Sequence, residues 1–140
     1  MEPLFYLEND EDDVVLLRVA LKKLDCPNVV RWFRSSGQFQ NALLALPEEQ
    51  LPKVILLDLK LDGEYGLDTL DWLSKDQRLS RIPAFIFSSG RLLEEISESL
   101  EQKAAGYIFK PSSIEEWLEI GRELKSMIYR VEPGGEPVRA

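Results

Sequence analysis

Four short apolar runs constrain this chain most: Leu4-Phe5-Tyr6-Leu7, Val54-Ile55-Leu56-Leu57, Ala84-Phe85-Ile86-Phe87 and Tyr107-Ile108-Phe109. None alternates with polar residues, and all are rich in branched or aromatic side chains. Each therefore reads as a strand buried on both faces, which a sheet achieves only when covered on both sides. A fifth candidate, Val29-Val30-Arg31-Trp32-Phe33, carries one charge and suits an edge. Between the runs the period becomes helical. Val14, Leu17, Leu21 and Leu24 form one stripe, with Asp12 or Asp13 able to cap its start. Phe39, Ala42, Leu43 and Leu46 predict a second helix, Leu67, Leu70 and Leu73 a third, and Leu92, Leu93, Ile96 and Leu100 a fourth. The fifth follows Pro111-Ser112-Ser113, where a serine cap precedes Ile114-Glu115-Glu116, and runs to about Tyr129. Five strands alternating with five helices predict an α/β, doubly wound parallel sheet with helices on both faces.

The size and charge narrow what such a fold can do. The chain has 140 residues, enough for one compact domain, placed at 1–130, with 131–140 expected to be a flexible C-terminal tail. Its formal net charge of -8 opposes binding to nucleic acid or an anionic membrane, and no basic patch offsets it. The absence of histidine excludes Ser-His or Cys-His catalysis and His-ligated zinc, so a partner must supply any histidine chemistry. The single Cys26 forms no internal disulfide and reads as a small side chain after a helix. The longest unbroken apolar run, Ala42 to Leu46, is far short of the ~20 residues of a membrane span. A cytoplasmic location is expected.

In an open parallel sheet, ligands bind beyond the carboxyl ends of the strands. Those ends carry Glu8-Asn9-Asp10-Glu11-Asp12-Asp13, Asp58, Ser88-Ser89-Gly90 and Lys110-Pro111. Each alone is ordinary turn chemistry. Together they describe a pocket of carboxylates that a hard cation would neutralise, with a lysine and a hydroxyl suited to a phosphoryl oxygen. In that setting one aspartate can act as a nucleophile and become an aspartyl phosphate.

With these residues in place, the sequence resembles the receiver domains of two-component response regulators over residues 3 to 129, in a stand-alone, chemotaxis-regulator-like form. Ser88 and Lys110 follow Asp58 by 30 and 52 residues, the intervals of that family. The resemblance implies a sheet order of 2-1-3-4-5. It implies Asp58 as phospho-acceptor, Lys110 as the lysine, Ser88 as the switch hydroxyl and Tyr107 as the aromatic switch. Its Mg²⁺ site would comprise Glu8, Asn9, Asp58 and the backbone carbonyl of Lys60. A cis Lys110-Pro111 bond is also implied. The partners implied are a sensor histidine kinase or phosphotransfer protein, a downstream protein target, and a second copy docking through the fourth helix, fifth strand and fifth helix. Apart from accepting and hydrolysing its own phosphoryl group, such a chain is not an enzyme.

The pattern departs from the family at Asn9, where an aspartate usually ligates the metal. An amide keeps a carbonyl ligand but loses a charge, so weak Mg²⁺ binding is expected. Asp10 or Asp12 could compensate, although alternation along the chain aims Asp10 away from Asn9. Lys60, two residues after Asp58, reads as a solvated lysine or as a shield of the phosphoryl group. Asp62 stands where proline is often found. The second apolar stripe of the last helix, Trp117, Ile120, Leu124, Met127 and Val131, reads equally as core or as contact surface. Asn9 also motivates the alternative of a pseudo-receiver, a protein-binding module that does not use phosphate. A flavodoxin would place hydroxyls and glycines after the first strand, and a haloacid-type phosphatase a second aspartate at position 60; neither is present.

Overall fold

A computed structural model describes residues 2–61, 63–89, 96–98, 101, 104–131 and 137–139. Five parallel strands form the central sheet: β1 (Leu4–Leu7), β2 (Val30–Phe33), β3 (Val54–Leu57), β4 (Ala84–Ser88) and β5 (Gly106–Phe109). Their order is β2-β1-β3-β4-β5, as expected. Every residue of β1 and β3 is buried, which explains their unbroken apolar character. Arg31 is exposed on the edge strand β2, where its guanidinium lies over the Phe5 and Phe33 rings, 5.6 and 5.1 Å from their centroids.

Because successive strand residues face opposite sides, the sheet builds two cores. On one side Leu4, Tyr6, Leu56 and Phe87 pack with Val14, Leu17 and Leu21 of α1 (Glu11–Lys23) and with Trp117 and Leu124 of the C-terminal helix (Ile114–Ile128). On the other, Phe5, Leu7, Ile55, Leu57 and Ile86 meet Phe39 and Leu43 of α2 (Ser36–Ala45) and Leu67, Leu70 and Leu73 of α3 (Gly66–Ser74). The wide stripe of the C-terminal helix therefore serves the core: Trp117 and Leu124 are buried, with Ile120 and Met127 packed against them. Phe87 meets the Trp117 ring edge-on at 5.6 Å. Lys125 Nζ donates to the Leu24 carbonyl at 2.6 Å, satisfying a free acceptor just beyond α1.

Local signals place the helix starts. Ser113 accepts a hydrogen bond from Glu116 N and Ser35 from Gln38 N, both side-chain caps. At α1 the cap is Asp10, not Asp12 or Asp13: its side chain accepts from Asp12 N at 3.0 Å. Asp10 itself has extended backbone, φ -93° and ψ 104°, directly before the first helical residue, which is the conformation a cap requires. Two pairings were absent from the sequence reading. Lys60–Leu61 runs antiparallel to Glu64–Tyr65 directly after β3, and Tyr129–Val131 to Pro137–Arg139 in the region expected as a free tail. Of the fourth predicted helix, residues 96–98 and 101 are helical, while Leu92, Leu93 and Leu100 lie outside the described residues. Asp62 and Gly90 also lie outside them. No peptide bond among the described residues is cis, so Lys110-Pro111 is trans, against the family-based expectation. Cys26 is a free, buried side chain.

Candidate active site at the carboxyl ends of the strands

The sheet brings the ends of β1, β3, β4 and β5 to one edge and gathers Glu8, Asp58, Ser88 and Lys110 there. Glu8, Asp58 and Ser88 are buried, at 0%, 6% and 3% exposure. Lys110 reaches back across the sheet to the acids. Its Nζ lies 2.7 Å from Glu8 Oε2, 2.7 Å from Asp13 Oδ2 and 3.4 Å from Asp58 Oδ2. The backbone aims it: Lys110 N donates to the Ser88 carbonyl at 2.9 Å, continuing the β4–β5 pairing. Ser88 pairs in register with Phe109. Tyr107, one turn of the strand earlier, is half-buried and stacks obliquely on Phe109 at 5.4 Å.

Glu8 is saturated. Oε1 accepts the backbone N–H groups of Asn9 and Asp10, both at 3.1 Å, and Oε2 accepts the Tyr6 hydroxyl at 3.0 Å besides Lys110. Its own carbonyl accepts the Trp32 indole N–H at 2.7 Å, pinning the β1 end to β2. Asp58 is held more loosely. Lys60 N donates to its Oδ1 at 3.4 Å and Lys110 approaches Oδ2 at 3.4 Å, both long for such bonds. The Glu8 carboxyl also shares a hydrogen bond with Asp58, and of the three acids Asp58 lies farthest from the ammonium.

The protonation equilibria follow this crowding. Burial raises the Glu8 carboxyl to about 7, helped by its hydrogen bond to Asp58 and the Asp58 charge, while Lys110 opposes the rise. Burial pushes the Tyr6 hydroxyl well above its ordinary value, and the Glu8 charge adds to this. Burial works against the Lys110 charge, but bonds to Asp13 and Glu8, with the charges of Glu8 and Asp58, outweigh it and hold the ammonium above an ordinary lysine.

Three carboxylates around one ammonium leave the pocket with excess negative charge, which suits a hard cation. Among the described residues no three acidic or cysteine side chains close on one point as a full protein cage would. A cation that keeps several waters needs no such cage. By donor type the Asp58 carboxylate, the Asn9 amide oxygen and the Lys60 carbonyl suit such an ion, while Glu8, with both oxygens already bonded, adds negative charge beside them. Asp10 spends its carboxylate as the helix cap and does not enter the pocket. The Lys60 side chain is exposed.

Asp13 is the site residue that the sequence reading assigned elsewhere. A signal was available: it precedes Leu17 by four residues and Ala20 by seven, which places it on the buried stripe of α1. Its carboxylate must therefore face the protein.

The response regulator receiver domain profile matches residues 4–121. The nitrate/nitrite response regulator NarL of Escherichia coli (strain K12) is 34% identical over 110 residues, covering 77% of this chain and 49% of that protein. The probable methanogenesis regulatory protein FilR2 of Methanothrix harundinacea (strain 6Ac) is 25% identical over 122 residues, covering 85% of this chain and 78% of that protein. The chain thus spans about half the length of NarL. The crystal structure of the phosphorylated cyanobacterial phytochrome response regulator RcpA superposes with a TM-score of 0.77 at 25% identity, covering 88% of this chain and 90% of that one. The Mn²⁺-bound form of the response regulator Rcp1 shares the fold, with a TM-score of 0.76 at 20% identity, covering 90% and 93%. With its order of strands, its strand-end acids and lysine, and a match over most of its length, the chain belongs to the response regulator receiver domain family of two-component signalling.

Proposed function

We propose that Asp58 accepts a phosphoryl group from a phosphohistidine on a sensor kinase or phosphotransfer protein, and that the chain then signals through protein contacts. One observation carries this reading. A buried, loosely bonded carboxylate sits at the end of the central strand with an ammonium 3.4 Å away, in a chain without histidine. An Asp58 oxygen forms its bond to phosphorus as the P–N bond breaks, and the electron pair leaves with the partner's imidazole nitrogen. Hydrolysis reverses the roles: water attacks phosphorus and the Asp58 carboxylate departs.

Lys110 offers positive charge to a phosphoryl oxygen and stays protonated throughout, because its neighbours hold its pKa high. Ser88 donates its hydroxyl to a second oxygen, and Tyr107 repacks as Ser88 moves. Asp58, Asn9 and the Lys60 carbonyl would hold Mg²⁺, with the Glu8 charge beside them, and the bound ion would neutralise the negative charge that gathers on the transferring group. Its affinity is low because Asn9 is neutral.

No described helix is long and apolar enough to cross a membrane, and the proposed compartment is the cytoplasm. A second copy is a further proposed partner, through β5 and the C-terminal helix; the fourth-helix part of that face lies largely outside the described residues. The test is incubation with acetyl phosphate and Mg²⁺, followed by intact-mass measurement. A gain of one phosphoryl group, absent in Asp58→Ala, supports the reading. No gain, from acetyl phosphate or any kinase, favours a module that binds proteins without phosphate.

A further inference from the structure

We infer that Asp13 is a positioning residue for Lys110, holding its ammonium from the first turn of α1 beside Glu8 and off Asp58. The inference deepens the phosphoryl-acceptor reading and rests on it for its consequence in rate. Its geometric content stands apart from that reading.

Lys110 Nζ makes its two short contacts, 2.7 Å each, to Glu8 Oε2 and Asp13 Oδ2, and its long one, 3.4 Å, to Asp58 Oδ2. An ammonium is a rotatable point charge on a flexible stem, so its position is decided by which anions hold it. Glu8 alone is a divided anchor, since the same Oε2 also accepts the Tyr6 hydroxyl. Asp13 completes the hold from a rigid base: α1 begins two residues before it, and the next residue, Val14, is buried. Glu8 and Asp13 together keep the ammonium off Asp58 by the extra distance. With Asp13 gone, only Glu8 and Asp58 share the ammonium, so it is free to shift toward Asp58, and a tight pair there would occupy the oxygen that must attack phosphorus.

A carboxylate at the first turn of a helix also favours the helix dipole, a purely structural role. Glu11 and Asp12 already provide that charge. The two roles predict different readouts at Lys110. If Asp13 holds the ammonium, its loss changes the exchange of the Lys110 protons; a helix-terminus role leaves that exchange unchanged.

The experiment measures hydrogen exchange of the Lys110 ammonium by ¹⁵N NMR on the full chain, assigned with Lys110→Met. Exchange should accelerate about tenfold in Asp13→Asn, with the loss of one charge-assisted bond. It should slow again in Asp13→Glu, which restores the carboxylate. Asp13→Ser serves the same purpose should Asp13→Asn not fold. An unchanged exchange rate in the folded Asp13 variant, or no recovery in Asp13→Glu, overturns the inference. In parallel, phosphoryl incorporation from acetyl phosphate should slow about tenfold in Asp13→Asn and recover in Asp13→Glu. If the parent takes up no phosphoryl group, the functional reading fails, while the exchange data still decide the role of Asp13.

Discussion

Gly66 stands at the tightest approach between the acceptor strand and the helix that follows it. A Cβ added there would sit 2.1 Å from the Asp58 carbonyl oxygen and 3.0 Å from both Asp58 C and Leu59 Cα. All three are backbone atoms, so no side chain can swing aside. Restoring an ordinary carbon–oxygen contact requires the start of α3 and the end of β3 to part by roughly 1 Å. That movement breaks the 2.7 Å hydrogen bond from Gly66 N to the Leu59 carbonyl. Losing the bond costs about 1 kcal/mol, and overpacking against a fixed backbone adds roughly 1–3 kcal/mol. Gly66→Ala is therefore expected to destabilise the protein by about 2–4 kcal/mol. The matched control is Gly37→Ala, in α2, where a new Cβ meets nothing within 4 Å. There the gain in helix propensity should stabilise by about 0.5–1 kcal/mol. Urea unfolding followed by circular dichroism measures both, and the two midpoints should move in opposite directions. A Gly66→Ala midpoint equal to the parent's would refute the steric argument. Since the displaced atoms belong to Asp58, the folded fraction of this variant should also accept phosphoryl groups more slowly than Gly37→Ala.

Three further outcomes follow from the site. Asn9→Asp should tighten Mg²⁺ binding at least tenfold, read by titration of Trp fluorescence, because it adds a full charge to a site that now has an amide; unchanged affinity would mean that position 9 does not touch the ion. In metal-free protein, folding raises the Glu8 carboxyl from 4.5 to about 7, so its ionisation burdens the folded state more than the unfolded one. The Glu8 contribution to stability is thus full below about 4.5 and lost as pH rises to about 7, and the difference in stability between parent and Glu8→Gln should shift in that window; a constant difference from pH 4 to 8 would contradict it. Lys60→Ala should shorten or lengthen the lifetime of the phosphorylated protein if the exposed ammonium shields the phosphoryl group, and identical dephosphorylation rates would assign Lys60 to solvent alone.

Several features were readable from local patterns because their causes are local. The apolar runs became β1, β3, β4 and β5 because a strand buried on both faces tolerates no alternation, and β2 took the edge its Arg31 suggested. Ser113 caps the last helix because capping needs only a side chain and a backbone N–H three residues on. The pairing of Lys60–Leu61 with Glu64–Tyr65 escaped notice for the opposite reason. Its residues show no strand pattern, and Glu64 is held by Ser36, whose backbone N–H donates to Glu64 Oε2 at 3.2 Å from 28 residues away. Gly66 gave no sign of its tight approach, since that depends on where α3 meets β3.

The sequence by itself determined the sheet, its covered faces and the chemical types at the strand ends, since periodicity and spacing are properties of the chain. Only the tertiary structure decided how the single ammonium is shared among the acids. Lys110 and Asp13 are 97 residues apart, and their 2.7 Å contact exists because α1 packs across the sheet beside the end of β5. Electrostatic energy varies steeply over such short distances, and differences of less than 1 Å separate the contacts of Lys110 with Asp13 and Asp58. Packing, which no run of residues encodes alone, set those distances and left Asp58 the farthest of the three carboxylates from the ammonium.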